Sequence, residues 1–397
     1  MANSKKDLTI EQICELMPKV ELHAHLNGSI SDSIIRKLKL QNSLSTPCDS
    51  TDNNRHDDDC IPTEKRLKKT DRTGEDEEDD SHSTNNIKSS LMPKVRLELD
   101  GKPSLSECWK AFAKIHQVIQ TPEILFQATC EVIHNFVKDN VIYLELRTTP
   151  KKIHDIPSKQ IYIETVIKAI KHCVEEDKLP IIVKLLISID RGNSARNYLE
   201  NVCLAQLYMN LEPEIVVGLD LCGNPNTGDT KSILFALNFS KKMGQRVSVH
   251  LPEVINENET KLFLEHGANR VAHGQYLHPS TGGTEELWKI LKDSGICMEA
   301  CITSNLISGV SPTLEQHYVK LLHDDNIPFT ICTDDCGVFN SNLSQEYKKF
   351  VQLVPNLSKH ELKMLCIRST TYIFGDTVLQ ANLAQQINTW WDHNVGA

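Results

Sequence analysis

Apolar side chains along this 397-residue chain cluster in two rhythms, and the shorter one organises the molecule. Runs rich in Val, Ile and Leu occupy 19–26, 141–147, 181–190, 215–222, 246–251, 270–273, 296–304 and 328–333. Several are nearly continuous rather than alternating, the pattern of parallel strands covered on both faces. The stretches between them are long enough for crossover helices. Eight such strands predict a (β/α)8 barrel, the TIM fold, with extra helices, rather than a fold linked by hairpins.

One predicted helix opens on Ser104-Leu105-Ser106-Glu107, the form of a capping box, and continues with Trp109, Phe112, Ala113 and His116 at helical spacing. That pattern puts His116 on the buried stripe, where a satisfied core histidine is the default expectation. Both rhythms fail from 44 to 90, which holds no Phe, Trp or Tyr and carries 13 acidic against 7 Lys and Arg side chains. Such a segment cannot bury enough apolar surface to offset its ordering entropy. It is expected to be a disordered acidic insertion within a single barrel domain spanning 1–397.

Lys+Arg 43 against Asp+Glu 53 gives a formal charge of −10, the wrong sign for a nucleic acid polymer as partner. The 13 cysteines contain no C-x-x-C pair and the N-terminus has no apolar signal core, so reduced thiols and a cytosolic chain are expected. No run approaches the ~18 apolar residues of a membrane span.

Polar groups of one chemical kind recur where the predicted strands end. His23 and His25 lie two apart on the first, so both project to one face. His250 ends the fifth, three residues before Glu253, with Pro252 turning the chain out of the sheet. His273 ends the sixth beside Gly274, and Asp334 and Asp335 follow the eighth. Each alone has an ordinary explanation as a core histidine, a helix cap or a solvated carboxylate. Together they sit where a parallel barrel assembles its active site. Three imidazoles and an aspartate suit a divalent ion, zinc first, with cobalt, iron or manganese also admitted by ligand type. Gly223-Asn224-Pro225-Asn226-Thr227-Gly228 has phosphate-loop spacing but lacks the lysine that would follow. The cysteine signature of cytidine-type deaminases is missing as well.

In this order over residues 19 to 335, His23-x-His25, Leu221-Cys222-Gly223, His250-x-x-Glu253, His273-Gly274 and Thr333-Asp334-Asp335 resemble the adenosine/AMP deaminases of the amidohydrolase superfamily. Three further segments resemble the branch acting on N6-substituted nucleotides: His25-Leu26-Asn27-Gly28-Ser29, the run from Tyr143 to Pro150, and Ser188-Ile189-Asp190-Arg191. The resemblance implies one Zn2+ per chain on His23, His25, His250 and Asp334, and hydrolysis at C6 of a purine by a metal-activated water. It implies Glu253 as proton donor to N1, His273 as the group orienting the water, Asp335 as a partner of N7 and the Gly223 amide as a partner of N3. His25, Asn27, His116, Thr148, Thr149, Pro150, Lys151 and Asp190 are implied as further substrate contacts.

Position 27 bears on the substrate. Nucleoside-specific relatives place an aspartate there, whereas Asn27 is neutral. A carboxylate 4 Å from a 5′-phosphate would cost ~4 kcal/mol per unit charge at an effective dielectric of ~20. The expected ligand is therefore a small purine nucleoside monophosphate, bound by a monomer. Two alternatives remain: deamination of adenosine itself, and a non-catalytic binding protein on the same fold.

Overall fold

The computed structural model describes residues 8–45 and 105–396. Beyond Ser45 the acidic insertion, and with it the Ser104 cap, lies outside the described residues. Eight strands form one sheet in chain order: β1 (Lys19–His25), β2 (Val141–Thr148), β3 (Ile182–Asp190), β4 (Val216–Cys222), β5 (Val247–Leu251), β6 (Arg270–His273), β7 (Cys297–Ala300) and β8 (Phe329–Ile331). Every neighbouring pair is parallel. The barrel closes where Ala24 bridges Asp334: the Asp334 N–H donates to the His23 carbonyl at 2.8 Å and the His25 N–H to the Asp334 carbonyl at 3.0 Å. The predicted TIM barrel is thus present, with helices around it.

Two boundaries differ from the sequence reading by more than one residue. The seventh apolar run continues to 304, but β7 stops at Ala300 and Ile302–Ile307 is a short buried helix. A continuous apolar run does not distinguish a buried strand from a buried helical turn. β8 likewise ends at Ile331, before the predicted 333.

The helices that matter for the site are α1 (Ile10–Leu16), α2 (Asp32–Ser45), α3 (Leu105–Val118), α4 (Pro122–Lys138), α5 (Lys159–Lys171) and α6 (Ala195–Leu211). Thr121 caps α4 by accepting from the Ile124 N–H at 3.3 Å, with Pro122 at the first helical position, and Ser158 caps α5 through the Ile161 N–H at 3.1 Å. On α3 the buried face is Cys108, Ala111 and Ile115, continued by Ile119 just beyond its end, one step round from the predicted stripe. His116 is only half-buried, and with Phe112 and Ala113 it lines a cavity rather than the core. The stripe was set by Phe112 and Trp109, whose size outweighed the smaller Cys108 and Ala111 that pack inward.

Alternation along the strands divides the core into two shells. Leu144 and Leu146, Leu219 and Leu221, and Val249 and Leu251 are fully or almost fully buried under the helices. The opposite positions, Glu145 and Arg147, Asp220, Ser248, Arg270 and Glu299, fill the barrel interior with charge. Burying ions is tolerable only when each is paired. Arg147 donates to Asp220 at 2.8 Å and Glu299 at 2.9 Å, while Arg270 donates to Glu299 at 2.6 Å and also holds Glu145. This network is the floor on which the histidines stand.

Candidate metal and catalytic centre

The strand-end residues converge. β1 is irregular between Glu21 and Ala24, because the Glu21 carboxylate accepts the His23 N–H at 2.8 Å and the Thr333 N–H at 3.1 Å. His23 Nε2 then lies 3.3 Å from His25 Nε2, which is 3.2 Å from His250 Nε2. Asp334 Oδ1 is 3.2 Å from His23 Nε2 and 3.4 Å from His25 Nε2. Ligands about 2.0–2.2 Å from one tetrahedral ion stand roughly 3.3–3.5 Å apart, so these four contacts are the edges of a coordination shell. Imidazole nitrogens aimed at one another this closely, with a carboxylate among them, fit a divalent cation.

Neighbouring groups fix which ligand atoms face the centre. Glu299 Oε2 lies 2.8 Å from His23 Nδ1, Asp220 Oδ1 lies 3.3 Å from His250 Nδ1, and Ser304 Oγ donates to Asp334 Oδ2 at 2.7 Å. Each leaves the opposite atom, Nε2 or Oδ1, toward the centre. Burial lowers the His25 pKa to about 3, the neutral form a metal needs. Burial and Arg147 lower His23 too, yet Asp334 and Glu299 override them and raise it to about 9. The site holds surplus negative charge that a cation would answer.

Two residues reach the site by distorted backbone. Strand pairing sets His273 beside Leu251, on the face away from the interior. With φ of 66°, His273 turns back, and its ring centroid lies 5.0 Å from His250 and 5.3 Å from His23. Asp334 has φ of 61°. Left-handed conformations are uncommon for such residues and cost of order 1–3 kcal/mol each. Both are held by the surrounding hydrogen bonds: Gly274 N–H to Leu251, and the barrel seam.

These groups open onto a cavity of about 1050 Å³ at the C-terminal ends of the strands, ample for a nucleotide-sized ligand. Glu253 sits in its wall, Oε2 3.7 Å from His273 Nε2, and burial raises its carboxyl above the usual range against the pull of His250. A raised carboxyl holds its proton more firmly than an ordinary one, the direction a general acid needs. Asp335 Oδ1 and His273 Nδ1 are buried without a hydrogen-bond partner among the described residues. Asp335 needs the bare backbone of Gly28: a Cβ there would fall 1.6 Å from Asp335 Oδ1. Gly223, with φ of +100°, would carry a Cβ 2.3 Å from Asp190 Oδ1, so that turn also requires glycine.

The mouth of the cavity gathers the remaining predicted contacts. Lys151 Nζ lies 2.6 Å from His116 Nε2, an ammonium donating to a neutral imidazole. Thr149, Pro150, Asp190, Gly223 and Asn27 line the wall, with Asn193 and Arg196 at the start of α6. The Thr148 hydroxyl is already bonded to Tyr162 at 2.9 Å, and that phenol also interacts with the Asn27 amide.

The sequence reading missed Asp220, Glu299, Ser304 and Tyr162. The first two had a signal, since an ionisable residue inside an apolar strand run must find a buried partner. Ser304 had been counted into the seventh strand. Tyr162, on α5, is an ordinary core position by pattern.

A candidate metal-ligand cluster above the C-terminal ends of a parallel barrel, beside a glutamate whose carboxyl is raised by burial, is an arrangement suited to a hydrolase. The family model for adenosine deaminase matches residues 83–390, and the chain belongs to that family as a hydrolytic deaminase. It is 33% identical over 379 residues to the N6-methyl-AMP deaminase of Homo sapiens, covering 95% of this chain and 93% of that protein. It is 32% identical over 376 residues to that of Danio rerio, covering 94% of each. A crystal structure of an Arabidopsis relative complexed with IMP superposes with a TM-score of 0.76 at 29% identity, covering 97% of this chain and 100% of the other. No helix among the described residues is long and apolar enough to cross a membrane.

Proposed function

We propose that the enzyme is a zinc-dependent hydrolase of N6-substituted purine nucleoside monophosphates, converting N6-methyl-AMP to IMP and methylamine. The observation that carries this reading is the pairing of a four-ligand centre with a cavity mouth bearing Lys151 and neutral Asn27. The relatives named N6-methyl-AMP deaminase and the relative complexed with IMP support it.

His23, His25, His250 and Asp334 would hold the zinc, which when bound would activate water for addition at C6. Glu253 gives its proton to N1 of the purine, so that electron density arriving at C6 has somewhere to go. His273, turned inward by its backbone, orients the attacking water and stabilises charge building at C6. Asp335 in its protonated form donates to N7, and the Gly223 N–H donates to N3, fixing the base. As the C6–N6 bond breaks the amine leaves with one proton of the attacking water, the other restores Glu253, and the water's oxygen stays on C6. At the far end Lys151, His116, Thr149 and the amides around Pro150 receive the 5′-phosphate. The enzyme is expected to work as a monomer, each chain carrying a whole site.

A turnover panel of adenosine, AMP and N6-methyl-AMP, with products identified, tests the reading. The expected order is N6-methyl-AMP first and adenosine negligible. Preferential use of adenosine would favour the nucleoside alternative. Full metal occupancy with no turnover of any of the three would favour a binding protein.

A further inference from the structure

At the opposite end of the barrel a second group of metal-ligating side chains lies outside this machinery. α4 and α5 both run toward the N-terminal ends of the strands and pack on each other. There α5 passes into a π-helical turn, His172–Glu176. Wider turns of this kind often mark functional positions. Here it sets Cys173 and Asp177 against His134 of α4, with one ligand atom of each within 4.8 Å of the other two.

Each of the three offers a different kind of ligand atom. His134 Nδ1 lies 2.8 Å from the Cys130 carbonyl, a contact that only an N–H can make favourably. In the neutral ring the proton therefore sits on Nδ1 and Nε2 is the ligand atom, the arrangement usual for ligating histidines. That Nε2 stands 3.8 Å from Asp177 Oδ2, too far for a hydrogen bond. The other carboxylate oxygen is 3.7 Å from His172 Nε2, and His172 Nδ1 is 2.9 Å from Glu176. Cys173 is fully buried beneath them, its thiol hydrogen-bonded to that of Cys130.

We propose that His134, Cys173 and Asp177 form a second metal site, for a borderline-soft divalent ion such as zinc, that staples α4 to the π-turn. Nitrogen, sulfur and oxygen donors together suit zinc better than magnesium or calcium. Zinc–ligand bonds near 2.0–2.3 Å need the donors about 3.3–3.8 Å apart. His134 and Asp177 lie at the surface, so small side-chain rotations close the gap. Water completes the shell. At this end of a barrel such a site contributes stability rather than chemistry.

Cobalt(II) distinguishes the two centres, because only this one contains sulfur. The full-length chain titrated with cobalt should develop a thiolate-to-cobalt charge-transfer band that His134→Gln and Cys173→Ser each abolish, lowering the bound cobalt by one equivalent while turnover of N6-methyl-AMP is unchanged. Zinc should raise the melting temperature of the wild-type chain more than that of either variant. Cys173 is buried and its variant could misfold, so His134→Gln, at a half-exposed position, decides. Absence of the band, or a band that survives His134→Gln, overturns the proposal. The band does not depend on whether the first centre is catalytic.

Discussion

Replacing Lys151 with methionine isolates the charge that the phosphate would meet. In the structure the ammonium donates to His116 over 2.6 Å. Burial lowers the lysine to about 8, with Asp190 opposing, while burial and Lys151 together lower His116 to about 4. At pH 7 the lysine is therefore the charged member and the histidine the neutral one. A hydrogen bond from a charged donor contributes about 1.5–3 kcal/mol, so Lys151→Met should reduce kcat/KM for the monophosphate roughly 10- to 150-fold. The Coulomb limit of ~4 kcal/mol at 4 Å is not reached, because the mouth opens to solvent. The sign of the pH dependence follows from the lysine. Below pH 8 the cation is present; as pH rises through 8 it is lost, and preference for the monophosphate over the nucleoside should fall up to tenfold per unit. The phosphate's own ionisation, near pH 6, is complete by then. Steady-state kinetics of both substrates from pH 6.5 to 9.5 give the ratio, in which titration of Glu253 cancels. A ratio unmoved by Lys151→Met, or one that falls with pH equally in the variant, would refute the assignment.

Other perturbations separate the remaining roles. Asn27→Asp restores a carboxylate near the phosphate and should cost up to ~4 kcal/mol per unit charge in monophosphate binding; unchanged selectivity in the same two-substrate assay would remove Asn27 from that role. Glu253→Ala should keep its zinc, measured by elemental analysis, yet lose about 10²–10⁴ in turnover; retained turnover would exclude it as the acid. Glu299→Gln removes the negative charge behind His23 Nδ1 and should weaken metal retention about 10- to 100-fold under chelator competition; an unaltered release rate counts against the positioning role. Gly28→Ala pushes on Asp335 from 1.6 Å away and should depress turnover while metal content stays whole. If turnover survives, Asp335 has room that the structure denies it.

Legibility from sequence followed the physics of each element. All eight strands could be read because a parallel barrel buries them on both faces, leaving apolar runs that few other folds produce. The candidate site could be read because such a barrel confines chemistry to strand ends, and His23, His25, His250, His273 and Asp334 stand at them, where the structure brings them together. His116 was misplaced because helical spacing weights large side chains, and α3 turns its small residues inward to present Phe112 and His116 to the cavity. The seventh strand was drawn too long because apolar continuity carries no record of where strand becomes helix.

The pairing of Glu299 with His23 could not be read at all, since it joins residues far apart in sequence through a barrel interior that exists only once the sheet has closed. That interior also explains why charge is kept where leucine would pack more cheaply. Arg147 and Arg270 together balance Asp220, Glu145 and Glu299 incompletely, and the residual negative charge lies directly beneath three imidazoles. An apolar floor would leave those rings free to choose either tautomer and would offer a cation nothing beyond Asp334. Closing the barrel and preparing the metal site are the same event, because the backbone of Asp334 completes the seam whose side chains complete the shell.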